Sequence, residues 1–321
     1  MKKIIIIIIL LASIVSGPLC YFNVPPPAMR DRIFTVRYGE TIRAIARNLE
    51  RSECVKSENF FVYASYALRR RSVRAGRYRI FVGMTSIEIL MKLSRGEILT
   101  RRITVPEGFN LYQIADRLAA NEITDAGPFL NFARDAAFLE SLNINAPSAE
   151  GYLFPDTYVF AEGSDARDII TAMRRKTGRV IGDAPHSDAG MSVHEILTLA
   201  SLIEKEARIP SERDLISSVF HNRLRRYMKL DCDPTVRYAV KKFSGPIYVS
   251  DLNADSPYNT YRRGGLPPTP ICSPGRESIM AALHPKKSDY LYFVAKNDGS
   301  HYFSKTLKEH NGAVRLFQRK R

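Results

Sequence analysis

The chain has 321 residues, of which 45% are apolar and 25% are charged, and its formal net charge is +15 at neutral pH. This length suits one large domain or two to three small ones, and the composition excludes an intrinsically disordered protein. The charge favours an anionic partner such as a lipid surface, an acidic wall polymer or a nucleic acid. We expect no nucleic-acid binding, because the basic residues are spread out and do not form one stripe beside stacking aromatics.

The N-terminus predicts a membrane anchor. Lys2 and Lys3 precede an apolar run at residues 4–12, and the weakly polar stretch that follows extends it to about nineteen residues, near the length that spans hydrocarbon. The lysines are expected to stay in the cytoplasm. A cleaved signal peptide is the alternative, since the densest part of the run is short. The anchor predicts a single-pass protein of the inner (cytoplasmic) membrane, with its catalytic part on the extracytoplasmic side.

A strand–turn–helix pattern occurs twice, at an offset of 69 residues. Residues 35–60 match residues 104–129 at apolar positions and at one glycine, Gly39 in the first copy and Gly108 in the second. Each copy predicts a short strand, a turn at the glycine and an amphipathic helix. Because most matched positions are core positions, unrelated units of this kind would match nearly as well. Between the copies, residues 77–81 predict a strand and residues 83–85 open another helix.

The segment from Phe34 to Ala46 reads FTVRYGETIRAIA. Its strand, its Gly-Glu-Thr opening and its helix resemble a LysM module. The resemblance implies a small βααβ subdomain that binds the N-acetylglucosamine backbone of peptidoglycan or chitin. A purely structural use of the same fold is the alternative.

From Ser148 onward, turn-forming residues, aromatics and polar groups cluster in short motifs between helices, which is typical of a site built from several loops. We therefore predict an α+β protein with four segments. They are an N-terminal transmembrane helix (1–24), a LysM-like subdomain (25–100), a second small strand–helix unit or linker (101–147) and a mixed α+β catalytic domain (148–321). Cys232 and Cys272 share the last segment, where export permits a bridge but two free thiols fit equally well.

The helix that starts after Ser192 carries two candidate acids, Glu204 and Glu206. Ser192 and Glu195 have the spacing of a capping box. The helical wheel predicts a buried stripe made of Ile196, Ala200, Ile203 and Ala207. A carboxyl group held against apolar neighbours loses hydration, so its pKa rises and it can donate a proton near neutral pH. This argument does not choose between the two glutamates, and a solvated charge or an ion pair is the alternative for either.

Motifs dense in aromatic, amide and carboxylate groups suit a carbohydrate ligand, and they occur at residues 150–158, 233–236 and 256–261. With the LASLIEKE helix at 199–206, they resemble the endolytic murein transglycosylase family (MltG-like or YceG-like proteins). The resemblance runs in the family's order through nearly all of residues 148–312. Further matching motifs lie at 219–224, 265–268, 273–275, 278–285 and 290–295.

The resemblance implies that Glu204, the first glutamate of the Ile-Glu-Lys-Glu motif, is the single general acid/base and leaves Glu206 secondary. It implies cleavage of MurNAc-β-1,4-GlcNAc bonds in nascent glycan strands, completed by the MurNAc C6 hydroxyl to leave 1,6-anhydro-MurNAc ends. No metal or organic cofactor is then needed. The predicted substrate-binding residues are Tyr152, Phe154, Asp156, Asn222, Asp233, Asn259 and Tyr261.

The expected partners are peptidoglycan glycan strands and, by resemblance only, peptidoglycan synthases at the membrane. Two other functions stay open on the sequence. One is a muramidase that hydrolyses the same bond with water. The other is a non-catalytic peptidoglycan-binding scaffold organised by the LysM-like subdomain.

Overall fold

The computed structural model describes residues 17–182, 190–296 and 298–318. The chain divides into two compact units, unit 1 (Met1–Arg102 with Val159–Ser164) and unit 2 (Ile103–Tyr158 with Asp165–Arg321). The mixed α+β class is confirmed, since the described residues form helices and three two-stranded sheets. Most of the predicted anchor, residues 1–24, lies outside the described residues. Within the described part of the chain, each helix is too short or too polar to span a membrane.

Unit 1 is built around a two-stranded antiparallel sheet and three helices. In chain order its elements are β1 (Arg32–Val36), α1 (Ile42–Arg51), α2 (Glu58–Ala67), β2 (Gly76–Ile80) and α3 (Ser86–Arg95). β1 pairs with β2 so that Phe34 lies opposite Tyr78, and both side chains are buried in the core of the unit. The order β-α-α-β is the one that the LysM resemblance implies. The strand predicted at residues 77–81 and the helix predicted after residues 83–85 are confirmed as β2 and α3.

The predicted repeat is confirmed as repeated geometry. The second copy consists of β3 (Thr100–Thr104) and α4 (Leu111–Ala120), and α4 begins 69 residues after α1. The turn glycines adopt the same left-handed conformation, with φ of 75° at Gly39 and 76° at Gly108. An L-amino acid with a Cβ rarely takes this conformation, so glycine is favoured at both turns.

Unit 2 is mainly helical. After α4 its elements are α5 (Ala126–Phe132), α6 (Ala136–Ser141), β4 (Thr157–Ala161, paired with β3), α7 (Ala166–Gly182), α8 (Val193–Glu206), α9 (Arg213–Arg225), α10 (Asp233–Ala239), α11 (Val249–Leu252), α12 (Arg276–Leu283), β5 (Tyr292–Ala295), β6 (His301–Ser304) and α13 (Leu307–Phe317). β5 and β6 pair antiparallel. Residues 103–147, assigned from the sequence to a separate small unit, belong to the same compact unit as the segment that follows them.

Helix α8 is the central helix of unit 2. The predicted capping box is present, because Ser192 and the Glu195 carboxylate each bond the other's backbone N–H. The buried surface of α8 is wider than the predicted stripe, since every residue from Ile196 to Ile203 is buried. The reason is that α9, α10 and α12 all pack against α8, so it has no solvent face over these two turns. Ala207, assigned to the stripe, is the C-terminal cap and only half-buried.

Candidate active site

Glu204 lies in the last turn of α8, and its side chain is 8% exposed. Its Oε2 accepts hydrogen bonds from the Gly275 backbone N–H at 3.0 Å and from the Ser278 hydroxyl at 2.7 Å. Gly275 directly precedes α12, so the carboxylate also meets the positive end of that helix's dipole. Its Oε1 lies 3.8 Å from an Arg213 guanidinium nitrogen, which is too far for a hydrogen bond. One carboxyl oxygen is therefore fixed, and the other is left for chemistry.

A second carboxyl group, Glu107, shares Arg213 with Glu204. Its Oε2 lies 4.0 Å from the same guanidinium nitrogen, and a Cβ added to Gly275 would come within 2.0 Å of its Oε1. Both carboxyl groups therefore contact Gly275. Burial first, and then the negative charge of Glu204, raise the pKa of Glu107, while Arg213 partly offsets the rise. The sequence analysis missed Glu107. The available signal was its place beside Gly108 at the turn of the second repeat copy.

Backbone hydrogen bonds hold the turn that carries Glu107. Gly108 N–H donates to the Ser273 carbonyl at 2.9 Å, and Ser273 N–H donates to the Phe109 carbonyl at 2.7 Å. The Lys205 ammonium group donates to the Gly108 carbonyl at 3.3 Å. The turn is thereby tied both to the segment before α12 and to the end of α8, which are the two elements that position the Glu204 carboxylate.

Glu206 faces a different set of groups. Its Oε1 accepts a hydrogen bond from the Cys232 thiol at 3.2 Å, and the neighbouring Asp233 accepts one from the Tyr261 hydroxyl at 2.5 Å. Burial raises the pKa of Glu206 to about 7, and the Cys232 hydrogen bond opposes that rise. The predicted effect of an apolar environment is thus found at Glu206. Cys232 is a free, buried thiol, and so is Cys272, so the two do not form a disulfide.

Comparison with known proteins identifies the family. Residues 34–316 match the model of the YceG-like family. The chain belongs to the YceG-like family. The resemblance inferred from the motifs is therefore confirmed.

Two curated relatives of this YceG-like chain are named endolytic murein transglycosylase. The protein from Bacillus subtilis (strain 168) is 39% identical over 309 residues, which cover 89% of this chain and 86% of that protein. The protein from Streptococcus pneumoniae serotype 2 (strain D39) is 31% identical over 310 residues, and the chain spans only 56% of its length. A solved structure described as YceG-like, from Listeria monocytogenes, has a TM-score of 0.61 and 37% identity, covering 89% of this chain and all of that one.

Several residues predicted to bind substrate make internal contacts in this YceG-like chain. The Tyr152 ring is buried and its hydroxyl bonds to His194 Nδ1 at 2.9 Å. Asp156 pairs with Lys176, and Phe154 is half-buried. The Asp156 carboxyl has a lowered pKa, chiefly because of the Lys176 hydrogen bond. Their role in substrate binding stays a prediction.

The two predicted amides hold loops together. Asn222 donates to two backbone carbonyls in residues 288–290, and Asn259 donates to two in residues 252–254. Both side chains are buried. None of the seven predicted substrate-binding residues is hydrogen-bonded to the Glu204 carboxylate among the described contacts. Among the described residues, Tyr261 is hydrogen-bonded to Asp233, whose charge acts on Glu206.

Glu150, the first residue of the 150–158 motif, is a buried structural carboxyl group. It accepts hydrogen bonds from the Leu111 backbone N–H, at 3.1 and 3.2 Å to its two oxygens, and from the Tyr238 hydroxyl at 2.9 Å. Burial raises its pKa to about 7, although these hydrogen bonds oppose the rise. Glu150 therefore joins the start of α4 to α10.

We expect Glu150→Gln to remove part of the pH dependence of stability. The folded protein keeps the Glu150 proton up to about pH 7, whereas the unfolded chain loses it near pH 4.5. The contribution to the unfolding free energy is full below pH 4.5 and is lost as the pH rises through 7, a change of about 3 kcal/mol. Urea unfolding should show that, between pH 4.5 and pH 8, the unfolding free energy of the variant rises by that amount relative to wild type.

The exposed Glu140 offers a matched control. The Glu140→Gln variant should follow the wild-type pH dependence. A Glu150→Gln curve parallel to wild type over the whole pH range would contradict the assignment of a raised pKa to Glu150.

A cavity of about 1340 Å³ lies at the other end of α8. It is lined by the N-terminal half of α8, the C-terminal half of α9, and residues 265–268 and 283–289. Neither Glu204 nor any of the seven predicted substrate-binding residues lines it. Because a helix rises about 1.5 Å per residue, His194 in this cavity is about 15 Å from Glu204 along the axis. The cavity is therefore separate from the carboxyl pair.

No group of three or more potential metal ligands occurs among the described residues.

Proposed function

We propose that this chain is an endolytic murein transglycosylase that cleaves MurNAc-β-1,4-GlcNAc bonds and leaves 1,6-anhydro-MurNAc ends. The proposal is supported by the relatives of that name, chiefly the Bacillus subtilis protein, which aligns with 89% of the chain. The observation that carries it is the Glu204 carboxyl group, buried and fixed through Oε2 with Oε1 left open. That is the geometry a proton-transfer catalyst needs.

The proposed reaction uses Glu204 twice. Oε1 first gives its proton to the glycosidic oxygen while the bond from that oxygen to MurNAc C1 breaks. The resulting carboxylate then takes the proton of the MurNAc C6 hydroxyl, whose oxygen forms the new bond to C1. Because the substrate supplies the nucleophile, no water is consumed and no second carboxylate has to attack, in contrast to ordinary glycosidases. The hydrogen bonds to Oε2 keep the carboxyl group in place through both proton transfers.

Glu107 and Arg213 have complementary roles in this proposal. The Glu107 carboxyl group shares Arg213 with Glu204, and the charge of Glu204 contributes to its raised pKa. Arg213, which lies 3.8 Å from Glu204 Oε1, stabilises the carboxylate that remains after the proton has left.

Glu107→Gln should lower turnover roughly tenfold and change the pH–rate profile over the range in which Glu107 titrates. The variant lacks a carboxyl group that shares Arg213 with Glu204 and whose pKa is raised by burial and by the charge of Glu204. Initial rates between pH 4 and 9 on peptide-free glycan strands would test this. Glu107→Asp should restore most of the wild-type profile. An unchanged rate and profile in Glu107→Gln would show that Glu107 takes no part in the reaction.

The function itself is tested by the chemistry of the new chain ends. The full chain in detergent would be incubated with peptidoglycan glycan strands, and the ends identified by mass spectrometry. Anhydro-MurNAc ends that arise by cleavage of internal bonds in long strands support the proposal. Reducing MurNAc ends would make the protein a muramidase, and intact strands that nevertheless bind the protein would favour the scaffold.

We also propose that residues 1–24 anchor the chain in the cytoplasmic membrane, with both units on the extracytoplasmic side. The support comes from the sequence, in which Lys2 and Lys3 precede the apolar run.

The β-α-α-β order of unit 1 supports a LysM-like subdomain at residues 25–100. We further propose membrane-bound peptidoglycan synthases as partners. The seven predicted substrate-binding residues stay proposed contacts of the glycan strand. Cysteine labelling from outside intact cells would test the orientation.

A further inference from the structure

Unit 1 contains a cleft of about 830 Å³ between β1 and α1. The arginines that line it are Arg30, Arg32, Arg37 and Arg51. Two carboxylates also line it, but each already accepts hydrogen bonds from elsewhere in the unit. Asp31 accepts from the Val82 backbone N–H at 2.8 Å. Glu40 accepts from the Arg37 backbone N–H at 2.9 Å and from the Asn48 amide at 2.6 Å.

The four guanidinium groups have no carboxylate partner of their own. None of them forms an ion pair within the part of the chain that the structure describes, whereas the nearby Arg47 pairs with Glu58 at 3.3 Å. Three of the four are exposed and Arg32 is half-buried. Because no carboxylate among the described residues pairs with them, an anion that enters the cleft would meet four unpaired guanidinium groups.

We propose that this cleft binds a diphosphate group. Four guanidinium groups and two carboxylates leave an excess of positive charge, which a multiply charged anion such as a diphosphate neutralises. The planar fork of each arginine matches a pair of phosphate oxygens. A sugar ring fits less well, because Phe34, the one aromatic residue of the lining, is buried in the core and 6% exposed. The proposal does not depend on the activity proposed for unit 2.

Calorimetric titration of the full chain in detergent micelles tests the site. Sodium pyrophosphate should bind at least about tenfold more tightly than citrate, an anion of similar charge, at equal ionic strength. Arg32→Gln and Arg37→Gln should each weaken pyrophosphate binding about tenfold, because each removes a charged hydrogen-bond donor. Arg32→Lys should weaken it too, since it keeps the charge but loses the fork.

Arg43→Gln is the matched control, because it removes the same charge from α1 outside the cleft. It should leave pyrophosphate binding unchanged. Equal weakening by Arg43→Gln, or equal affinity for pyrophosphate and citrate, would mean diffuse charge attraction and would overturn the proposal. Failure of the wild type to bind pyrophosphate would also overturn it. If circular dichroism shows that Arg32→Gln misfolds, Arg30→Gln and Arg51→Gln take its place, because both arginines are exposed.

A second arm identifies the source of the diphosphate. Phosphatidylcholine vesicles would be prepared with and without a lipid that carries a diphosphate headgroup. Binding of the chain only to the vesicles with that lipid, lost in Arg37→Gln but not in Arg43→Gln, identifies a membrane headgroup. Binding of soluble pyrophosphate without vesicle binding identifies a free diphosphate. Either result supports the diphosphate site.

Discussion

Glu204→Gln should lower the turnover of glycan strands by at least about a thousandfold. The glutamine carbonyl can still accept from Gly275 N–H and the Ser278 hydroxyl, so the side chain keeps its place. Its amide, however, cannot give a proton to the leaving oxygen or take one from the C6 hydroxyl. Since general acid and general base catalysis each contribute about a hundredfold or more, losing both explains the expected size. The measurement is the rate of appearance of anhydro-MurNAc ends by mass spectrometry.

Glu206→Gln is the matched control, because Glu206 is on the same turn of α8 but contacts Cys232. We expect its turnover to stay within about threefold of wild type, since the carboxyl group is outside the Gly275–Ser278 site. The opposite pattern, an active Glu204→Gln and an inactive Glu206→Gln, would move the acid/base role to Glu206. Full activity in both variants would remove this helix from the mechanism.

Gly151→Ala should destabilise unit 2 by about 4 kcal/mol and lower its melting temperature by roughly 10 °C. Gly151 has φ of +77°, a conformation that disfavours any residue with a Cβ. The new Cβ would lie 2.2 Å from Pro270 Cβ and 3.2 Å from the Cys272 carbonyl oxygen. A proline ring cannot rotate away, so the backbone of one of the two loops has to move.

The matched control is Gly245→Ala. Gly245 has a similar φ of +78°, but nothing lies within 4 Å of an added Cβ. We expect only the conformational strain there, about 1 kcal/mol. Differential scanning calorimetry of both variants separates strain from steric overlap. Equal melting temperatures for the two variants would mean that the Pro270 contact does not limit stability.

The local elements of this fold could be predicted because their signals are local. The capping box at Ser192 and Glu195, the strand at residues 77–81 and the two glycine turns depend on neighbouring residues, and the structure has them where the sequence indicates. The full burial of Ile196 to Ile203 could not be predicted. Three helices pack around α8, and their number is a property of tertiary structure that helical periodicity in one segment does not encode.

The site was predictable only in part, for a related physical reason. Glu204 was predicted through the family motif and its role stays a prediction, whereas Glu107 approaches the same Arg213 from a turn far away in sequence. The amides Asn222 and Asn259 were predicted to bind substrate because of their motifs, and the structure shows them bonded to backbone carbonyls. One sequence does not tell a polar side chain that satisfies buried backbone from one that faces a ligand, since burial favours hydrogen-bonded polar groups in both cases.

The two glycine turns of the repeat now occupy different roles in the chain. In the first copy, Tyr38 precedes Gly39 and is 99% exposed, whereas in the second copy Glu107 precedes Gly108 and contacts the Glu204 site. The backbone of the turn is the feature that the two copies share, and the residue before the glycine is the position at which they diverge. One copy presents an aromatic ring to solvent there, and the other presents a carboxyl group to the Glu204 site.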